Sequence, residues 1–396
     1  MTSRANIIGA GAVCAAGATL ANCMESMLAG NGAPTAPTRF TSEQSVTYPV
    51  FEVPDAWLTH DNPSLTRTMH LLLTAMDDAF ESTAFQPDSF DPLSVGVCIG
   101  TSVGASLNFL DFYRQWKDGE KPELGPIHRY LNSNPAEALA EKHGFTGPCQ
   151  TVVNACTSGA DAIGIASGWI RHGLCDIAIA GGADGLSEIS YNGFARLMIT
   201  SPEHCRPFDK DRTGLNLGEG AGILLLASDK AVRKLSATIR GQLVGYATFG
   251  DAYHLTAPHP EARGLKTAVH NALEKAEATT SDIGFINVHG TGTPANDPVE
   301  GHVLNEIFPG TPFSATKGYT GHTLGAAGAI EAAFTLECLE REVLPSSLGF
   351  NAMDPAIGIG PVAEKPPIDS HLALSQSLAF GGNNSVLILQ RGDKCD

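Results

Sequence analysis

Three residues stand out as candidates for covalent and acid–base chemistry: Cys156 in NACTSGADAIG, His289 in VHGTGTPANDP and His322 in TKGYTGHTLGAAGA. Cys156 lies where a short apolar run, 151–153, gives way to a helical pattern of Ala, Gly and Ile that continues to 171. At a helix start, unpaired N–H groups and the positive end of the macrodipole favour thiolate over thiol. That arrangement activates a nucleophile without an adjacent base. A free cysteine is also among the most often buried residues, so the position taken alone fits an inert core thiol too. His289 follows the apolar run 285–288 on a Gly/Thr loop, and His322 precedes a second small-residue helix. One loop histidine is ordinarily a hydrogen-bonded structural residue. Two histidines and a cysteine, each at a strand-to-helix end, point to a shared reaction site.

Alternating elements must position these ends. Runs rich in Val, Ile and Ala at 6–8, 94–99, 151–153, 177–180, 223–226, 285–288 and 386–389 read as buried strands, and 68–85, 160–171, 264–277 and 326–340 as helices. The two halves also repeat each other. DPLSVGVCIGTS from Asp91 corresponds to SDIGFINVHGTGT from Ser281, each after a helix. TVVNACTSGADAIGIASGWI from Thr151 corresponds to FSATKGYTGHTLGAAGAIEAAF from Phe313, and AGILLLAS from Ala221 to NSVLILQ from Asn384. The seam falls near 237–241, before the strand-like GQLVGYAT. The expected units are therefore 1–238, with the cysteine, and 239–396, with both histidines. A duplicated α/β unit with its polar turns at equivalent places predicts a site where the halves meet.

Composition bounds the remaining readings. A chain of 396 residues, 43% hydrophobic and 17% charged, with 43 glycines, suffices for a large, closely packed core. The net charge of −17 and the lack of Lys/Arg runs exclude nucleic acid as a general partner and disfavour an anionic membrane surface. The nine cysteines (Cys14, Cys23, Cys98, Cys149, Cys156, Cys175, Cys205, Cys338 and Cys395) are odd in number and scattered, with no C-x-x-C pair. Neither a disulfide framework nor a metal site is expected, and a reducing cytoplasm suits them. The apolar start, 5–21, is interrupted by glycines and reads as a first core strand and turn rather than a signal segment. No stretch is long and apolar enough to span a membrane.

The chain resembles the elongating β-ketoacyl-(acyl carrier protein) synthases over essentially its whole length. Six blocks carry the resemblance in order: NACTSGADAIG, RPFDKDRTGLNLGEGAG from Arg206, DAYHLTAPHP from Asp251, HGTGTPANDPVE, SATKGYTGHTLGAAGAIEA from Ser314, and LAFGGNNS from Leu378. The resemblance implies a thiolase-like fold of two duplicated α/β halves packed as a five-layer αβαβα sandwich. It implies decarboxylative Claisen condensation of malonyl-ACP with an enzyme-bound acyl thioester, in fatty-acid or polyketide/polyene elongation. It implies no cofactor or metal, because acyl groups arrive on the phosphopantetheine arm of an acyl carrier protein. A homodimer, or the catalytic half of a ketosynthase/chain-length-factor heterodimer, is the implied assembly.

Residue roles follow from the same resemblance. Cys156 takes the acyl group, and His289 and His322 act on the malonyl donor, where two Nε2–H groups would stabilise the enolate oxygen. The backbone N–H groups of Cys156 and Phe380 would form the acyl oxyanion hole. Phe380 would also gate the site, although a core aromatic anchoring a glycine loop reads the same way. Lys317 and Glu331 match a buried pair that tunes the field near the second histidine. Thr291, Thr293 and Thr256 fall at pantetheine-binding positions, with turn chemistry as the alternative for the first two. Arg67, Arg129 and Arg206 are the implied docking cations for an acidic carrier, Arg206 having a second reading as a partner of Asp209 or Asp211. The sequence departs from the family at Asn383, where threonine is usual, at Leu378-Ala379 in place of Phe-Gly, at Asp161, where many relatives carry histidine, and in a shorter loop between Phe194 and Arg206. These departures bear on the acyl pocket and gate and leave every catalytic group in place.

Other readings fit less well. A dinucleotide-binding G-x-G-x-x-G at IIGAGAVCAAG would need Cys14 as its third glycine. A degradative thiolase would carry a second catalytic cysteine where FGGNN stands. Initiating synthases use His and Asn rather than two histidines, and a non-catalytic partner subunit would lack the nucleophile.

Overall fold

The computed structural model describes residues 4–42, 44–83, 85–102 and 110–392, so Cys395 lies outside the described residues. Among the described residues ten strands are formed: β1 (Asn6–Cys14), β2 (Val95–Gly100), β3 (Cys149–Val152), β4 (Ile177–Asp184), β5 (Gly220–Ala227), β6 (Gly241–Gly250), β7 (Ile283–Asn287), β8 (Phe313–Ser314), β9 (Leu372–Ala379) and β10 (Asn383–Arg391). Their spatial order is β3-β2-β4-β5-β1-β6-β10-β9-β7-β8. Read outward from the β1/β6 seam, both sides run in the same sequence, first-fifth-fourth-second-third. The internal repeat is therefore a repeat of topology as well as of residues. The last helix of the first half, Asp229–Leu235, precedes β6 at Gly241.

Packing completes the five layers of the thiolase-like fold. Helix Arg67–Glu81 covers the outer face of β1 and β5, and Arg263–Ala276 covers β6 and β10. Between the halves lie helices Ser158–Arg171 and Ala327–Arg341, which touch each other and strands of both sides. Nearly every residue of the second is buried, Glu331 among them. Glycine permits this contact. A Cβ on Gly159 would stand 2.8 Å from the Gly325 carbonyl oxygen and 2.9 Å from Ala329 Cβ, and one on Gly328 would stand 2.8 Å from Ala160 Cβ. Backbone meets backbone here because no side chain intervenes.

Some elements differ from the sequence expectation for identifiable reasons. β9, LALSQSLA, carries Ser375, Gln376 and Ser377 inside the protein, so no apolar run announces it. Helix Arg67–Glu81 stops short of Phe85, whose ring instead packs from the following loop on Phe80 and Phe90 at centroid distances of 5.5 and 5.8 Å. An apolar residue that belongs to the core but not to the helix lengthened the apparent pattern.

The seam depends on Asn6. β1 and β6 share only the pairs Asn6–Gln242 and Ile7–Gly241. The buried Asn6 side chain donates to the Ala227 carbonyl (3.2 Å) and the Asp229 carboxylate (2.9 Å) and accepts from Gln242 Nε2 (2.9 Å). It thus joins the end of β5, the next helix and β6. Asn6→Ala removes all three hydrogen bonds and is expected to cost about 2–4 kcal/mol. Chemical denaturation should report this loss in one cooperative transition, because both halves share the central helices. Two separated transitions in the unmodified protein would contradict that account.

Candidate active site

Cys156 sits on a strained elbow. The chain leaves β3 at Val152, turns through Ala155 at φ 50°, and starts the helix at Ser158, two residues after the cysteine. A left-handed non-glycine residue costs roughly 1–3 kcal/mol. The turn is held by the Ser158 hydroxyl, which donates to the Ala155 carbonyl (2.6 Å) and accepts from Asn154 N–H (2.8 Å). The thiol is 6% exposed. Burial pushes it up to about 12, against the opposing pull of the Lys317 charge and the Phe380 N–H. The helix start therefore does not yield a resting thiolate, contrary to the sequence expectation. Desolvation outweighs it.

The two histidines come from the other half and share the cavity of Cys156, with ring centroids 5.1 Å apart and planes at 84°. Burial, the Lys317 charge and, for His289, the neighbouring ring hold both imidazoles well below the usual histidine range. Their tautomers follow from hydrogen bonding. Lys317 Nζ lies 3.3 Å from His289 Nδ1, and an ammonium only donates. The Leu324 N–H donates to His322 Nδ1 at 3.3 Å. Each ring thus accepts at Nδ1 and carries its proton on Nε2. Lys317 also donates to the His289 carbonyl and to Glu331, both at 2.5 Å, with side-chain exposures of 1% and 4% for the ion pair. Burial pushes the Glu331 carboxyl up to about 7, with Lys317 resisting.

Buried carboxylates that sequence reasoning did not single out hold the loops in place. Glu300 accepts from the N–H groups of His289 and Gly290, each at 2.7 Å, and from Asn296 and Gln376. Asp297 accepts from Phe208 N–H (2.7 Å) and Gly292 N–H (3.1 Å), tying the RPFD block to the Gly/Thr loop. Asp184, at the end of β4, accepts from Ser102 N–H (2.8 Å) in one half and Gly325 N–H (2.7 Å) in the other. The available signal was an acid embedded in an otherwise small-residue or apolar segment, which needs backbone donors to be buried.

The same cavity is lined by Thr256, Thr291, Thr293 and Phe380. The Thr291 and Thr293 hydroxyls lie 2.9 Å apart, and Thr293 also accepts from Asn296 N–H, so turn chemistry and cavity lining coexist. Phe380 stacks on Phe194 at 5.6 Å and 15°. Its loop continues through Gly381 and Gly382, at φ 89° and 82°, where only glycine sits without strain.

The three arginines do not behave alike. Arg67 is not a free docking cation: it binds the fully buried Glu219 through two nitrogens (2.8 and 2.6 Å) and Asp55 through a third (2.7 Å), with 15% of its side chain exposed. Its role is to neutralise a buried acid. Arg206 pairs with Glu203 at 2.9 Å rather than with Asp209 or Asp211, and remains 35% exposed. Arg129 is half-buried on helix Gly125–Leu131, with no carboxylate partner among the described residues.

A protonated resting thiol has a kinetic signature. Alkylation of Cys156 by iodoacetamide, followed by peptide mass, is expected to accelerate about ten-fold per pH unit between pH 7 and 9, because below its pKa the thiolate fraction rises in that proportion. A rate already flat at pH 7 would mean a preformed thiolate.

Comparison with known proteins agrees with this geometry. The profile of the beta-ketoacyl synthase N-terminal domain matches residues 3–231, and that of the C-terminal domain matches 240–351. A 3-oxoacyl-(acyl-carrier-protein) synthase 2 from Coxiella burnetii is 32% identical over 98% of both chains, and one from Rhizobium meliloti is 36% identical over 81% of this chain and 79% of its own. Among solved structures, the ishigamide ketosynthase/chain length factor superposes with a TM-score of 0.93 at 28% identity, covering 99% of this chain and 100% of that one. The ketosynthase ApeO in complex with its chain length factor ApeC from Xenorhabdus doucetiae gives 0.85 at 34% identity over 98% of both chains. Matches that run through both halves, to proteins named for one reaction, leave a single reading of the thiol and its two imidazoles: the chain belongs to the β-ketoacyl synthase family and is a β-ketoacyl-ACP synthase.

Proposed function

We propose that Cys156, His289 and His322 divide the condensation into two half-reactions. The observation that carries this reading is one cavity holding a thiol from the first half and two neutral Nε2–H donors from the second. In the first half-reaction the Cys156 sulfur adds to the acyl thioester carbonyl, with the Cys156 and Phe380 N–H groups as oxyanion donors. The carbon–sulfur bond to the carrier breaks, and the thiol proton ends on the phosphopantetheine sulfur. In the second, malonyl-ACP loses CO₂, and the electron pair becomes an enolate whose oxygen accepts from both imidazoles. The enolate carbon attacks the acyl carbonyl, forming the β-ketoacyl-ACP and releasing the Cys156 thiolate, which takes up a proton. Lys317 and Glu331 keep the imidazoles neutral, and Thr256, Thr291 and Thr293 receive the pantetheine amides. The reaction needs no cofactor or metal of its own.

The partners are an acyl carrier protein and a second ketosynthase-like chain, the same or related, in the cytoplasm. β3 supports the second, since it is an edge strand with Cys149 and Gln150 exposed and Val153, just beyond it, 67% exposed. In a ketosynthase/chain-length-factor pair, such as the named structural relatives, this chain would be the catalytic half. Arg129 and Arg206 are the cations retained for carrier docking.

Three measurements test these assignments. Cys156→Ala should still decarboxylate malonyl-ACP but accept no acyl group, while His322→Ala should lose decarboxylation by about a hundred-fold or more and still become acylated. Equal loss of both half-reactions in both variants refutes the division. Arg129→Glu should raise KM for acyl-ACP several-fold at low salt and leave a small acyl-pantetheine substrate unaffected. Arg67→Glu should instead destabilise the fold by about 3–5 kcal/mol, because it sets a second acid beside the buried Glu219 and leaves only Arg39, at 3.5 Å, to offset it.

A further inference from the structure

Two of the residues at which this chain departs from its family, Asp161 and Asn383, belong to one hydrogen-bonded chain. Asp161 lies in the first turn of the helix after Cys156 and is 3% exposed. Its Oδ2 accepts from Asn154 Nδ2 (2.6 Å) and the Thr157 hydroxyl (2.9 Å), and its Oδ1 from the Tyr246 hydroxyl (3.1 Å). The Tyr246 ring lies against Gly164 of the same helix, where a Cβ would stand 2.4 Å from ring atoms. Asn154, two residues before the nucleophile, presents its Oδ1 to Asn383 Nδ2 at 2.6 Å. Asn383 opens β10, three residues after Phe380.

The carboxylate dictates the sense of every bond in this chain. An ionised Asp161 only accepts, so Asn154 must turn its NH₂ toward it. The carbonyl of Asn154 then faces the glycine loop, and Asn383 must donate. The loop is fixed on its other side by independent contacts: Gly381 N–H donates to the Leu255 carbonyl (2.8 Å), and Asn384 Nδ2 donates to Asp251 (3.1 Å). Toward Cys156 the loop is held by the Asn383–Asn154 bond together with the stacking of Phe380 on Phe194. Phe380, which lines the same cavity as Cys156, rides on that loop.

We propose that Asp161 is a positioning residue for acyl transfer, acting through a polarised Asn154–Asn383 bridge that holds the Phe380 N–H in place beside Cys156. The inference rests on Cys156 being the acylated residue, which mass analysis of the unmodified enzyme tests separately. The bond changes are those of the first half-reaction: sulfur to carbonyl carbon forms, the carrier's carbon–sulfur bond breaks, and the thiol proton passes to the departing sulfur. The bridge positions one oxyanion donor for that step. It does not touch the enolate donors His289 and His322.

The test uses a reversal of polarity. Asp161→Asn and Asn383→Asp should each slow acylation by an octanoyl N-acetylcysteamine thioester at least about ten-fold, with malonyl-ACP decarboxylation changed less than about two-fold, the loss expected when one oxyanion donor is misplaced. The double variant Asp161→Asn/Asn383→Asp exchanges donors for acceptors along the chain. The amide introduced at position 161 donates to Asn154 Oδ1, and Asn154 Nδ2 donates to the carboxylate introduced at position 383. Acylation should recover to within about three-fold of the unmodified enzyme, whereas a merely structural role gives two defects that accumulate. A double variant no faster than the slower single variant overturns the proposal, as does equal loss of both half-reactions. Should the Asp161 variants fail to fold, Asn383→Ala, a truncation at the half-buried first residue of β10, decides the matter. Loss of acylation with decarboxylation retained supports the bridge, and normal acylation overturns it. An unmodified enzyme that takes no acyl group at Cys156 would instead refute the underlying reading of the site.

Discussion

A single buried ammonium governs the protonation of this site. Lys317 Nζ donates to Glu331, to the His289 carbonyl and to His289 Nδ1 from a position almost closed to water. Such a charge is tolerable only with its counter-ion and its donors satisfied, and removing one partner of a buried pair typically costs about 3–5 kcal/mol. Once in place, the ammonium disfavours a second cation beside it, so His289 and His322 stay neutral, and it occupies the lone pair that would otherwise make His289 a base. The imidazoles are left as hydrogen-bond donors. In the reaction proposed above, that suits them to stabilise an anion rather than to remove a proton.

The surrounding carboxylates extend the same logic to the backbone. Glu300, Asp297 and Asp184 each gather amide N–H groups from loops that the sheet does not organise. Irregular segments at the ends of strands carry donors without ladder partners, and a buried acid needs donors, so each need meets the other. Asp184 goes further, since it binds an amide from each half of the duplicated fold at the floor of their junction. The loops around the histidines are consequently held on both sides by ionic groups rather than by apolar packing alone.

Much of this was legible in the sequence. The topology could be anticipated because the repeat pairs β2 with β7, β3 with β8 and β5 with β10 through recognisable residues, and the site residues could be located because Cys156 and His289 follow strand-like runs and His322 precedes the helix that repeats the one after Cys156. What stayed hidden has a common cause, which is that long-range partners decide the outcome. β9 was obscured by polar side chains whose burial depends on neighbouring strands and on Glu300. Arg67 looked like a free cation because Glu219 lies 152 positions away. The state of the Cys156 thiol was misjudged because helix position is a local property, whereas desolvation is set by everything packed around it.

The glycine contact between the central helices has a mechanical consequence. The thiol is mounted on one half and the imidazoles on the other, so the distance across which carbon–carbon bond formation occurs is the thickness of the joint between them. Gly159 and Gly328 act as shims of minimum gauge in that joint. A reacting geometry displaced by only about 1 Å can lose about a hundred-fold in rate, and a single added methyl is of that order of thickness. The tolerance to which this enzyme is built is therefore set by two residues that have no side chain, touch no substrate, and lie on the facing backbones of a molecule assembled from two copies of one design.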